Sequence, residues 1–249
     1  MYPHAAQIAA APTASSQGEM FTAKTKPAIA AIKQEINAAR FTELALANPD
    51  SAKVIKEVAS AASSARFSDV ISNQSAPGAL LHFRWASPGL EVTHENAHPF
   101  SFEDIAFIHN GALSPYEAVK SLIAPEFESL REGDTDSELF FLYLLTEIKA
   151  NGFVEGVVKG IKNLKENFEY SSINSMIINS EYLIVVSEHD PLNKPGWTDD
   201  LYYELRYRID ENGVAVASSG WDQSGWVLME NHSILIVNRH DLTHQIESI

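Results

Sequence analysis

Three kinds of hydrophobic spacing follow one another along the chain. Near-helical spacing comes first: Ile29, Ile32 and Ile36, then Phe41, Leu44 and Leu46, predict a helix ended by Asn48-Pro49-Asp50. Asp50 or Ser51 can cap a second helix carrying Val54, Ile55 and Val58, so residues 26–66 are expected to be helical. Ahead of them, the Ala- and Ser-rich residues 5–16, broken by Pro12, read as a weak strand or an irregular arm. From Gly78 onward, short unbroken apolar runs take over. Residues 79–85 and 105–108 are too short for helices and read as buried strands, the second ending at His109-Asn110-Gly111.

Helical signals return after residue 113. Ser114-Pro115-Tyr116-Glu117 supplies a cap, a first-turn proline and an N3 carboxylate. Thr135 precedes Asp136-Ser137-Glu138 as a capping box, leading into Leu139, Phe140, Leu142, Leu144 and Ile148. Residues 153–165 are amphipathic, with Phe153, Val157, Val158, Ile161 and Leu164 on one side. Beyond residue 170 the pattern predicts strands over 174–179, 182–187, 201–209, 213–218 and 233–238, with Asp210-Glu211-Asn212-Gly213 as a hairpin turn. Strands, then helices, then strands with hairpins imply a layered α+β fold. No repeat or long linker divides the chain, so a single domain over 1–249 is expected, with the helical segment 26–66 as its outlier.

Composition narrows the chemistry. The 249 residues carry 18 Lys and Arg against 33 Asp and Glu, a formal charge of −15. Such a balance argues against nucleic acid and anionic lipid as partners, because both need a basic surface. The excess is lopsided: residues 1–66 hold seven basic and five acidic side chains, so the negative charge belongs to the remainder. No run of 18 apolar residues spans a membrane, and Met-Tyr-Pro-His lacks the layout of a secretory signal, so a cytoplasmic location is expected. There is no cysteine, which removes disulfides, thiolate metal sites and any cysteine nucleophile.

Candidate chemistry concentrates in residues 82–138. Arg84 closes a buried strand, where a guanidinium is either paired with a protein carboxylate or poised for one on a ligand. Asn110 can donate a side-chain N–H, and Gly111 lets its own backbone N–H be approached closely. Two converging donors suit a developing oxyanion, although an isolated Asn-Gly is also an ordinary turn. Gly133-Asp134-Thr135-Asp136-Ser137-Glu138 sets carboxylates at a helix N-terminus, where capping accounts for one of them.

Taken together, HFRWASPGLEVTHENAHPFSFEDIAFIHNGAL and the later GDTDSE closely resemble the class II glutamine amidotransferases. The resemblance is strong over residues 78–148, looser over 173–249 and poor over 1–70. It implies the N-terminal-nucleophile hydrolase fold, a four-layer αββα sandwich of two mainly antiparallel sheets. It also implies roles by position. Arg84 grips the α-carboxylate of glutamine, with Trp85 and Ser87 as pocket neighbours, and Asp136 holds the α-ammonium. Asn110 and Gly111 form the oxyanion hole, and His98 of Asn96-Ala97-His98-Pro99 is structural. One Arg and one Asp facing each other suit a free amino acid, so neither cofactor nor metal is expected.

The sequence departs from that family around the nucleophile. The family reaction uses a cysteine at position 2, exposed by loss of Met1; here position 2 is Tyr2, whose phenol, with a pKa of about 10, is no acyl-transfer nucleophile of this kind. The glycine-rich segment after the first strand is reduced to Gly18-Glu19-Met20, and Pro88 stands where a pocket histidine often lies. The implied protein binds glutamine or a γ-glutamyl amide without cysteine-dependent glutaminase activity, as a binding or interaction subunit for an acceptor enzyme or protein partner. Three alternatives stand beside it. One is an active amidase with Thr13, Ser15 or Ser16 unmasked by processing. Another is a working enzyme with a divergent residue 2. The last is a structural protein in which Arg84 and Asp136 satisfy each other.

Overall fold

Alternating side chains and short apolar runs resolve into two sheets in the computed structural model, which describes residues 6–12, 42–47, 52–58, 64–73, 78–83, 93–196, 198, 200–210, 213–218 and 222–249. The elements are β1 (Ala6–Pro12), β2 (Thr42–Ala47), β3 (Ala52–Glu57), α1 (Ala65–Asn73), β4 (Ala79–Phe83), β5 (Phe100–Phe102) and β6 (Ile105–Ser114). A 3-10 helix (Tyr116–Leu122) and the one-turn α2 (Pro125–Glu128) lead to α3 (Asp136–Asn151) and α4 (Phe153–Asn167). The closing strands are β7 (Glu169–Ile178), β8 (Tyr182–Ser187), β9 (Leu205–Asp210), β10 (Gly213–Ser218), β11 (Val227–Leu228), β12 (Ser233–Asn238) and β13 (His244–Ser248).

One sheet has seven strands in the order β11-β9-β10-β1-β4-β2-β3, the other six in the order β13-β12-β8-β7-β6-β5. The strand pairs of both are antiparallel. Leu80, Ile108, Met176, Val185, Val216 and Leu235 fill the space between the sheets. On the other face of the six-stranded sheet, Phe107, Ile177 and Val186 pack with Phe140, Leu144, Ile161 and Leu164 of α3 and α4. Phe67 of α1 meets Phe83 edge-on, ring centroids 5.7 Å apart, on the outer face of the seven-stranded sheet. Helix, sheet, sheet and helix are the four layers expected. None of the described helices is long and apolar enough to cross a membrane.

Several local expectations need correction. Residues 42–47 and 52–57 are paired strands, not helix: β2 and β3 pair from Thr42 opposite Glu57 to Ala47 opposite Ala52. Leu44 and Leu46 fit a two-residue period as well as a helical one, Val54-Ile55 favours strand, and pairing of β2 with β4 decides between them. Ile29, Ile32 and Ile36 lie outside the described residues. Of the stretch 5–16, residues 6–12 take the strand alternative and take it centrally, since β1 pairs β10 on one side and β4 on the other. β6 does not stop at His109-Asn110-Gly111 but runs on to Ser114. Ser114 therefore caps nothing, and Pro115 precedes the 3-10 helix without a side-chain cap. Residues 201–203 form a turn ahead of β9, closed by the bond from Glu204 N–H to Leu201 O at 3.0 Å.

Candidate functional site

The centre of the site is the middle of β6. Period two along this strand sends Ala106 and Ile108 into the space between the sheets, and Asn110 follows them. Asn110 is 8 % exposed and pairs in register with Asn174 of β7. Asn174 is fully buried and held at both ends of its amide. Its Nδ2 donates to Tyr203 O at 2.6 Å, and its Oδ1 accepts from Glu188 N–H at 2.7 Å. Gly111 stands at φ +156°, and a Cβ there would lie 1.9 Å from Ser172 O. Only glycine fits that close approach. The ladder then shifts by a bulge between Ala112 and Leu113.

Asp136 reaches the same strand from the helical layer. It is the first residue of α3, after the cap Thr135, whose Oγ1 accepts from Glu138 N–H at 3.2 Å. Asp136 Oδ2 accepts from Leu113 N–H and Oδ1 from Ser137 N–H, each at 2.9 Å. These bonds use about two of the roughly four acceptor positions of a carboxylate, and the side chain is half-buried. The preceding loop is pinned just as firmly. Glu138 accepts from Glu132 N–H at 2.7 Å and Gly133 N–H at 2.8 Å, and Asn96 Oδ1 accepts from Asp134 N–H at 2.9 Å. A Cβ on Gly133 would come within 2.4 Å of that Asn96 oxygen.

His109 ties strand to helix. Its Nε2 lies 3.1 Å from Ser172 O and its Nδ1 2.9 Å from Ser137 Oγ. Burial lowers its pKa, against the smaller opposing pull of the Asp136 charge and the Ser172 carbonyl. The neutral ring then carries its proton on Nε2, because a carbonyl can only accept, and Nδ1 accepts from the Ser137 hydroxyl. His98 occupies a different spot, its ring tilted against His82 (4.2 Å) and edge-on to Phe100 (4.9 Å).

Tyr2, Arg84, Trp85, Ser87 and Pro88 lie outside the described residues, as do Thr13, Ser15 and Ser16. The strands that lead to them are informative. Ala6 of β1 pairs with Phe83 of β4, so the start of β1 and the end of β4 lie side by side. At the opposite end of β4, a Cβ on Gly78 would meet Ile178, which pairs with Ala106, so the Phe83 end of β4 lies toward the Asn110 side of the sandwich. The structure thus brings Asn110, Gly111 and Asp136 to one stretch of β6. Sequence spacing missed Asn96, Asn174 and Tyr203 as supports, since strand pairing and loop contacts bring them in from about 15 to 90 residues away; His109, next to Asn110, gave no local signal beyond polarity in an apolar run.

Two antiparallel sheets between helical layers, with an Asn-Gly pair set mid-strand beside a helix-end aspartate, define a protein of the N-terminal-nucleophile hydrolase architecture. A family model described as glutamine amidotransferases class-II matches residues 39–206, more than half of the chain, and the chain belongs to that family. It is 28% identical over 188 residues to an uncharacterised protein of Methanocaldococcus jannaschii, covering 66% of this chain and 51% of the relative. It is 32% identical over 128 residues to glutamine--fructose-6-phosphate aminotransferase [isomerizing] of the same organism, covering 48% of this chain and 11% of that protein. The chain therefore spans about half of the first relative and about a tenth of the second. Among solved structures, a glutamine aminotransferase class-II domain protein from Silicibacter pomeroyi shares the fold at a TM-score of 0.67 and 18% identity, over 98% of both chains.

Proposed function

We propose that this chain binds free glutamine or a γ-glutamyl amide and does not hydrolyse it by the cysteine route of its family. The arrangement of β6 carries the reading. Asn110 and Gly111 sit mid-strand, and Asp136 holds Leu113 N–H three residues further on. That spacing, about 10 Å along an extended strand, leaves room for an amide at one end and an ammonium at the other. Asn110 and the Gly111 backbone face the amide oxygen, Asp136 takes the α-ammonium, and Arg84 takes the α-carboxylate with Trp85 and Ser87 beside it. His98 serves as packing. The sequence offers no thiol to attack the amide. Binding without turnover suits a subunit that presents or senses glutamine for an acceptor enzyme or a protein partner.

Geometry also weighs against Thr13 as a processed nucleophile. Thr13 follows Pro12, which pairs with Gly213 at the opposite end of β1 from Ala6 and Phe83. Seven residues of strand put those two ends about 20 Å apart. Calorimetry with L-glutamine tests the proposal, alongside an ammonia-release assay. Heat of binding without ammonia is expected, with affinity falling at least ~10-fold in Asp136→Ala as the charge-assisted contact is lost. Ammonia released by the unaltered protein, or no heat with either glutamine or a γ-glutamyl amide, would overturn it.

A further inference from the structure

The turn before β9 presses an aromatic side chain onto the part of β7 that faces the candidate site. Tyr203 is 5 % exposed, with its ring edge-on to Tyr202 at 4.9 Å and 5.7 Å from His189. Its carbonyl accepts from Asn174, the residue opposite Asn110. Its hydroxyl donates to Ser171 Oγ at 3.0 Å. Ser171 lies between Tyr170, which pairs with Leu113, and Ser172, which pairs with Ala112. The residue thus runs along β7 from the level of Asn110 to the bulge beside Leu113, whose N–H Asp136 holds. Burial raises the Tyr203 pKa, the bond to Ser171 opposes it, and the Asp136 charge adds to the rise, so the phenol stays neutral. A neutral hydroxyl adds no second negative charge beside an ammonium. It does add a fixed wall, because backbone, hydroxyl and both ring neighbours are all engaged.

We propose that Tyr203 closes the α-amino end of the site, so that the ligand is an amino acid with an unsubstituted α-nitrogen. This rests on the glutamine reading above and adds a specificity-determining residue to it. Peptides or N-substituted amides that extend from that nitrogen would collide with the phenol ring, whereas substituents on the γ-amide would leave by the other end.

The test uses Nα-benzyl-L-glutamine, which keeps the cation for Asp136 and adds a ring where the phenol stands. Calorimetry on the full chain compares it with L-glutamine in the unaltered protein, in Tyr203→Ala and in Tyr203→Phe, with thermal unfolding as the folding control. Tyr203→Leu serves if the alanine variant does not fold. The unaltered protein and Tyr203→Phe are expected to prefer glutamine by ~100-fold or more, and Tyr203→Ala by under ~10-fold, since removing the ring creates a matching hole. A folded Tyr203→Ala that binds glutamine and still rejects the benzyl compound overturns the proposal alone, as does an unaltered protein that binds both alike. No glutamine binding by the folded, unaltered protein overturns the underlying reading, and this inference with it.

Discussion

A single buried histidine couples the two halves of the site, and its protonation is the residue-scale lever on the whole. His109 accepts from Ser137, next to Asp136, and donates to Ser172 O, the oxygen that leaves no room for a side chain on Gly111. Burial lowers its pKa in the folded protein, while the unfolded chain titrates near 6.5. Between those values the unfolded state binds more protons, so stability rises with pH. The contribution is complete above about pH 6.5 and is lost as pH falls toward the folded value. His189, also lowered mainly by burial, acts in the same direction. Thermal unfolding between pH 7.5 and 5.5 should show a declining Tm. His109→Gln keeps an N–H donor and should start lower by about 1–3 kcal/mol, with a shallower decline because one titrating group is gone. Equal slopes in both proteins would show that His109 is not the group being protonated.

At the scale of elements, the first turn of α3 shows what was legible beforehand and what was not. Thr135 and Glu138 announce a helix start by spacing alone, and the Thr135 cap forms as expected. Glu138 does not complete the reciprocal box. Its carboxylate turns to Glu132 and Gly133 N–H, because the chain folds back over it and Asn96 pins Asp134 from the other side. Long-range pairing of this sort also carries β6 through Asn110-Gly111, where the strand was expected to end: a turn signal as a dipeptide, the pair is held mid-strand by β7. It likewise drew Leu44 and Leu46 into a paired strand when local spacing suited a helix as well. By contrast β8, β10 and β12 match the predicted spans 182–187, 213–218 and 233–238, since a short apolar run between turn signals admits one arrangement. The fold class and the gathering of the candidate residues at β6 and the start of α3 were thus legible, and the supports from Asn96, Asn174 and Tyr203 were not. Glu138 is 5 % exposed and takes two backbone donors, so Glu138→Gln sets an amide N–H against one of them. Urea denaturation should register a loss of about 2 kcal/mol. Asp134→Ala, in the same loop but with an 84 % exposed side chain, should stay within about 0.5 kcal/mol. Equal effects of the two would mean that the loop is not held by Glu138.

For the molecule as a whole, the decisive element is the strand whose sequence is least distinctive. β1 is a run of Ala with one Gln, one Ile and a closing Pro, yet it is the middle of seven strands. It joins β10 through Ile8 to Pro12 and β4 through Ala6 to Ala10, so among the described strands β9-β10-β11 and β4-β2-β3 meet in the sheet through it. Without β1, two facing sheet edges would expose their N–H and C=O groups between halves that no longer touch in register. The inner layer that Leu80 and Val216 build against Ile108 and Met176 would lose its alignment too. This argument also bears on chemistry, because the start of β1 lies beside the end of β4, at the Asn110 side of the sandwich. A nucleophile unmasked at Thr13 would require the chain to give up its central strand to expose an amine at the wrong end of it. A protein produced from Thr13 onward should therefore show no cooperative thermal transition and lose near-ultraviolet circular dichroism, whereas removal of residues 1–4 should retain both. A chain starting at Thr13 that unfolded cooperatively would restore the processed-nucleophile reading, and with it an active amidase on this scaffold.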